Sequence, residues 1–364
     1  MAWSACFLFG SLLLEGVSSA ALARRAFTPT VKSATVVGNV ADPNINRDSC
    51  GSTGLDNRVL WTCRDSQPYG SDGTPILPLW ASSASWSNFN SDNGPALLQY
   101  GGDGSRNPYF PYSADECNSN SAGSCSDGSR YALWPDSPPL LASTVGKTAT
   151  AYTWIRKEHI KPELTYELGA PDRNALPTVS LVKESFWPDG SIPYGAYGNV
   201  IKDGTAYLFG QPSNGMVALA RVPSNAIEDQ AQYQYWVNGA WTTKMPSIDD
   251  KGAGIPNASA GGQGTYYFSD HWNKWVWIGQ AGISVSADFF ITTADSITGP
   301  WESAANFYKG KNGNFALGAY SLQAHPGLVR AGTSSNEMYI SYTKSDTVKG
   351  STLYSTPLIH IQWN

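Results

Sequence analysis

The strongest constraint on this chain is a pattern that never forms. Nowhere in its 364 residues does apolar spacing of the i, i+3, i+4, i+7 kind persist for three turns, and 36 glycines and 23 prolines punctuate it throughout. An amphipathic helix needs that stripe to bury one face, so helices are excluded as the framework. Short segments of alternating aromatic and β-branched residues recur instead, which is the pattern of many short antiparallel strands.

Five of these segments read as one structural piece repeated: Arg58–Thr62, Thr150–Ile155, Thr205–Phe209, Lys274–Ile278 and Glu337–Tyr342. Each follows a small-residue stretch, in order Asp48–Ser52, Ala132–Asp136, Gly195–Val200, Gly261–Thr265 and Ser321–His325. Starts at 48, 132, 195, 261 and 321 are spaced by 84, 63, 66 and 60 residues, enough each time for a four-stranded blade with its loops. Small residues suit the innermost strands of a propeller, where side chains crowd the axis. The expectation is an all-β, five-bladed β-propeller in one domain over 33–364. A β-sandwich or jelly roll is the rival, and it does not predict the recurrence. Third strands are expected at Met216–Arg221 and Phe289–Thr293, fourth strands at Tyr233–Val237 and around Gly299-Pro300-Trp301. Ser33–Val37 is expected to close the last blade beside Leu358–Gln362.

The first residues carry an apolar stretch from Cys6 to Leu14 and a small-x-small site at Ala21-Leu22-Ala23, which reads as a secretory signal over 1–23. A short N-terminal segment, 24–32, follows, with the dibasic pair Arg24-Arg25. No stretch reaches the roughly 18 apolar residues of a spanning helix, so a secreted protein with no membrane partner is expected. Without Cys6, four cysteines remain: Cys50, Cys63, Cys117 and Cys125. Four allow three connectivities, and the local pairs Cys50–Cys63 and Cys117–Cys125 close the shortest loops at least entropic cost. The second pair would staple a Gly/Ser/Asn/Asp-rich surface loop at about 101–129. Asn257-Ala258-Ser259 is a glycosylation sequon between turn residues.

Charged residues make up 15% of the chain and aromatics 12%, with 14 Trp and 19 Tyr. Aromatic faces with polar edges suit sugar rings, so carbohydrate is the expected ligand. A net charge of −5 without a basic stripe argues against nucleic acid. No serine-hydrolase elbow, zincin helix, P-loop or dinucleotide fingerprint occurs, so no metal or cofactor is expected. A monomer is expected.

Inner-strand starts converge on one mouth of a propeller, which brings distant residues together. Asp48, Asp136 and His325 are the candidate catalytic groups there, with Tyr194, Tyr197, Asn199 and Gln263 as candidate ligand-binding residues. Paired carboxyl groups suit glycosidic cleavage: one protonates the leaving oxygen while the other activates water or attacks. Asp48 could equally cap a turn, Asp136 form an Asx turn, and His325 serve as a structural hydrogen-bonder. Glu184 and Asp189 are alternative acids, and Asp65 reads as structural at the opposite mouth.

At Arg47–Gly51, Arg58–Trp61, Asp65, Tyr194–Asn199, Val217–Val222, Tyr235-Trp236, Gly239–Trp241, Thr298–Trp301 and His325-Pro326 the chain resembles the fungal branch of the propeller family called domain of unknown function 4185. Its relatives include endo-D-arabinanases, with a more distant likeness to five-bladed arabinanase-type glycosidases. The resemblance implies a secreted glycosidase, acting on a polysaccharide such as arabinan, whose first-blade aspartate, Asp48, is base or nucleophile. Those relatives carry a glutamate acid where this chain has Asn199, which either promotes Asp136 to acid or makes the protein a lectin-like binder or cell-surface interaction protein. A polysaccharide lyase using His325 and a tyrosine is a third reading.

Overall fold

A computed structural model describes residues 27–55, 58–89, 101–102, 108–117, 124–146, 148–160, 179–329 and 336–364. The expected signal at 1–23, Cys6, Arg24-Arg25 and much of 101–129 lie outside the described residues.

Middle strands show why the sequence alternates so weakly in places. Lys274–Ala281 is buried along nearly its whole length, because it packs against neighbours on both faces, and it therefore reads as a continuous Trp-Val-Trp-Ile run. Four antiparallel sheets of four or five strands, arranged like propeller blades, are built around such strands. Blade I comprises Cys50–Leu55, Arg58–Cys63, Ser83–Asn88 and Gly101–Gly102. Blade II comprises Gly198–Lys202, Thr205–Gly210, Ala218–Pro223, Gln234–Val237 and Ala240–Thr242, and blade III Gly261–Ser269, Lys274–Ala281, Asp288–Ala294 and Ala305–Lys309. Blade IV comprises Ala319–Ala324, Glu337–Val348, Pro357–Trp363 and Val31–Asn39, with Ser351–Ser355 paired to the extended second strand. The N-terminal strand thus closes blade IV as its sequence suggests, Ser33 facing Gln362 and Val36 facing Ile359. In blade II the turn chemistry is equally direct: Asp203 and Gly204, both with positive φ, form the two-residue connection that joins Lys202 to Thr205. Among the described residues there is no α-helix, only three single turns of 3₁₀-helix.

The expected count of five blades is corrected to four. Residues 132–155 form two separate two-stranded ribbons, Arg130–Trp134 with Arg156–Ile160 and Leu140–Val145 with Thr148–Tyr152. Ala132 therefore faces Glu158, not the Thr150 segment. Pro135, Pro138 and Pro139 explain the break, because proline lacks the N–H that a continuing ladder needs. The ribbons fill the gap between blades I and II: Thr53 Oγ1 donates to Pro139 O (2.5 Å) and Asn199 Nδ2 to Pro138 O (3.1 Å). The fourth strand of blade III begins near the expected site, where Trp301 bridges Ala294 after the turn at Gly299 (φ 90°), and continues along the edge as Ala305–Lys309.

Apolar residues fill the seams between blades. Phe209 of blade II stacks on Tyr266 of blade III with centroids 3.5 Å apart. Val276, Ile278 and Phe289 of blade III meet Leu322, Met338 and Ile340 of blade IV, and Tyr339 and Leu358 of blade IV meet Val59 and Trp61 of blade I. Burying each such side chain contributes about 1.5–3 kcal/mol. Two glycines permit the last seam to close, since a Cβ on Gly327 would lie 2.5 Å from the Gly54 nitrogen. The seam between blade I and the ribbons is different in kind: it is held by arginine and aspartate.

Candidate active site

Every blade's inner strand is entered through a residue of positive φ: Ser49 (44°), Gly195 (90°), Gly261 (97°) and Ser321 (51°). Glycine adopts this region freely, whereas serine is strained there, and such strain persists only where neighbours over-determine it. The two serines are held by each other, Oγ to Oγ at 2.8 Å, and Ser49 N also donates to Thr343 Oγ1 (2.9 Å). Asp48 Oδ1 lies 2.6 Å from Ser49 Oγ, and Ser321 Oγ donates to Gln263 Oε1 (2.7 Å). Asp48, Ser49, Ser321 and Gln263 therefore form one row across blades I, IV and III. Burial pushes the Asp48 carboxyl above its ordinary range against the opposing pull of Arg64 and of hydrogen bonds from Ser49 and Tyr320.

Arg64 follows the second strand of blade I, and its guanidinium binds Asp136, which also accepts from Arg156 Nη2 at 2.8 Å. Both Asp136 oxygens thus accept hydrogen bonds from guanidinium groups. Beside it Arg130 grips Asp65 with two nitrogens (2.7 and 3.2 Å), and Trp134 Nε1 donates to the same carboxylate (2.9 Å). The Trp134 ring lies under both guanidinium groups, 5.5 Å from Arg64 and 5.9 Å from Arg130. A narrow cleft with a cavity volume of about 10 Å³ opens among these groups, walled by Ser49, Arg64, Asp136, Gln263, Ser321 and Gln323. Among the described residues no cluster of His, Cys, Asp and Glu has the make-up of a metal site, and no helix is long and apolar enough to cross a membrane.

Residues 172–357 match the family model described as Domain of unknown function (DUF5005). The chain belongs to this DUF5005 family. It is a different family from the one whose motifs the sequence resembles, and its model covers Gln263 and Ser321 but not Asp48, Arg64 or Asp136. No curated protein matches the chain. A candidate hydrolase from Bacteroides ovatus superposes with a TM-score of 0.54 at 17% identity, over 87% of this chain and 85% of its own, which shows a common fold. An α-L-arabinofuranosidase from Podospora anserina, solved with cellotriose, covers 93% and 95% at 12% identity with a TM-score of 0.37. An exo-β-1,3-galactanase from Phanerochaete chrysosporium, solved with β-1,3-galactotriose, covers 91% and 64% at 11% identity with a TM-score of 0.41. Those two lower scores carry no argument.

In this DUF5005 chain the cleft draws together Asp136 and Gln263 of the expected set, with Asp48 buried behind the lining residue Ser49. Asn199 braces the ribbon through Pro138, and the Tyr197 hydroxyl donates to Gly262 O (2.5 Å) at the seam of blades II and III. Two expected residues are corrected. Tyr194 is fully buried in the core of blade II between Trp187 and Tyr235, away from the cleft. His325 is enclosed by Ser52 and Ser341 (2.8 and 2.7 Å) beneath Trp61, and burial pushes its pKa down to about 3, so it is neutral and structural. Glu184 and Asp189 are exposed. Asn257 is exposed too, while its sequon partner Ser259 accepts from Tyr197 (3.0 Å). Both expected disulfides form, with Cα separations of 4.1 and 5.1 Å. The shorter joins Cys50 and Cys63, which face each other across adjacent strands.

Arg64, Asp65, Arg130, Trp134 and Tyr320 were absent from the expected site. Asp65 stands beside Asp48, whose N–H donates to its carbonyl (2.8 Å), not at the opposite mouth. Antiparallel pairing requires this, because the end of a hairpin's second strand returns to the start of its first. The Cys50–Cys63 pairing already carried that signal.

Proposed function

We propose that the protein is a secreted, monomeric glycoside hydrolase acting on a polysaccharide, with Asp48 and Asp136 as its carboxyl pair. One observation carries this reading: two carboxyl groups flank Arg64, Asp136 on the cleft wall and held by two guanidinium groups, Asp48 buried behind Ser49 and driven towards its neutral form. A buried carboxyl driven towards its neutral form suits the acid of such a pair. Asp48 is then the proton donor to the leaving oxygen, the reverse of the base or nucleophile role that the resemblance implies. Asp136 is then the base that activates an attacking water. Gln263, Ser321 and Gln323 orient the sugar hydroxyls. The two disulfides suit an oxidising compartment, in line with the signal segment read from the sequence. A glycan on Asn257 and an arabinan-type substrate are parts of the same proposal. Release of reducing ends from arabinans, galactans and xylans tests it, with cleavage of at least one expected. Binding without cleavage of any would favour the carbohydrate-binding reading, which the carboxamide of Asn199, standing where relatives carry an acid, already supports.

A further inference from the structure

A second cavity, of about 110 Å³, opens at the seam between blades II and III. On one side stand Met216 and Val217, just before the third strand of blade II; on the other stand Ile255 and Ala258, in the segment that leads into blade III. Ile255 N donates to Val217 O at 2.7 Å, which ties the two sides together. Val217, Ile255 and Ala258 are buried, and no residue lining the cavity is charged. Such walls suit a neutral group with an apolar end. The rim carries Asn257, exposed in a turn at φ 59°, and Ser259, hydrogen-bonded to Tyr197 at 3.0 Å. Asn257-Ala258-Ser259 is the chain's glycosylation sequon.

We propose that this cavity receives the acetamido group of the first N-acetylglucosamine of a glycan on Asn257, so that the sugar lies against the seam of blades II and III. The inference rests on the secretion and glycosylation proposed above and specifies where the glycan goes. Attachment joins Asn257 Nδ2 to C1 of the sugar, as a lipid-linked donor gives up its diphosphate and the amide gives up one proton. The acetamido group sits on C2, the next carbon, and therefore stays beside Asn257. Size decides which part enters. An apolar cavity of about 150 Å³ accepts a benzene-sized group, so one of about 110 Å³ holds an acetamido group but not a whole pyranose ring. The acetyl methyl leaves water for Met216, Val217 and Ile255, which is favourable, while the sugar hydroxyls remain hydrated at the rim. Tethering favours this occupant over a free sugar, because a linked group is present at an effective concentration on the order of millimolar.

The test is methyl NMR on the glycoprotein secreted by eukaryotic cells, with methionine methyls labelled with carbon-13. Three forms are compared: intact, trimmed by an endoglycosidase to a single N-acetylglucosamine, and stripped by a peptide-N-glycosidase. The single-sugar form is expected to show a nuclear Overhauser contact between the acetyl methyl and the Met216 methyl. The Met216 signal is expected to stay in place on trimming and to move on stripping, and the melting temperature to fall by about 2–4 °C on stripping alone. Asn257→Gln, which avoids the charge that stripping introduces, is expected to match the stripped form in both readouts. An Asn257 that mass spectrometry finds unglycosylated overturns the reading on which the inference rests. A glycosylated Asn257 without the Overhauser contact overturns the docking alone. A Met216 signal that titrates with free chitotriose in the intact glycoprotein also overturns it, since the cavity would then be open to a soluble ligand.

Discussion

His325 shows at the residue scale how position in a blade separates structural from chemical groups. Its ring nitrogens each contact a serine hydroxyl, so one donates and the other accepts, and the neutral imidazole satisfies both. Its pKa, about 3 in the folded chain, lies below the ordinary 6.5. A depressed folded value means the unfolded chain binds the proton first. The stability that His325 contributes is therefore complete above pH 6.5 and is lost as pH falls towards 3. Between pH 7 and pH 4 the loss is on the order of 3 kcal/mol. Replacing His325 by Gln is expected to flatten that part of the urea-midpoint profile, and an unchanged slope would show that other groups set it. Asp48 works in the opposite sense. Its raised folded value favours the native state at low pH, and that contribution is lost as pH rises through it.

At the scale of elements, the parts legible in the sequence are those fixed by local rules. Asp203-Gly204 announces its turn, Lys274–Ala281 its buried strand, and the hydrophobic tail Leu358–Ile361 a strand that needs a partner. That partner, Val31–Asn39, lies more than 300 residues away, yet its alternation and the demand for closure place it. Without it the edge of Pro357–Trp363 is left as a row of unpaired backbone groups, a template for pairing with another chain. Deleting residues 27–39 is expected to lower the melting temperature by several degrees and to produce concentration-dependent self-association in light scattering. A monomeric deletion variant with the parent melting temperature would show that the strand is not the closure. The ribbons at 130–160 were not legible as such. Their aromatic and β-branched residues repeat the pattern of a blade, but Pro135, Pro138 and Pro139 decide the pairing, and that choice depends on partners distant in sequence.

Across the whole molecule, four blades meet through apolar seams, and the one polar seam, between blade I and the ribbons, is where the cleft opens. Asp48 and Gln263 could be named from sequence because they sit at the starts of inner strands or next to them, and Asp136 because its small-residue stretch reads like one. Arg64, Arg130 and Trp134 could not, because their contribution depends on how the ribbons dock, and nothing in the local pattern of residues 130–160 encodes that docking. His325 and Tyr194 also lie on or beside the small-residue stretches yet face the core, a matter of side-chain direction that spacing alone does not reveal. The central claim is that Asp48 supplies the proton in glycosidic cleavage. The most direct test compares kcat for wild type and Asp48→Asn across pH on the best-cleaved polysaccharide, with melting temperature and substrate affinity measured in parallel. The account predicts a wild-type rate that falls on the alkaline side as Asp48 loses its proton, and a variant that binds and folds normally but is slower by about 10²–10⁴-fold, the usual worth of a general acid. A variant that cleaves at the wild-type rate with the same alkaline limb would contradict it.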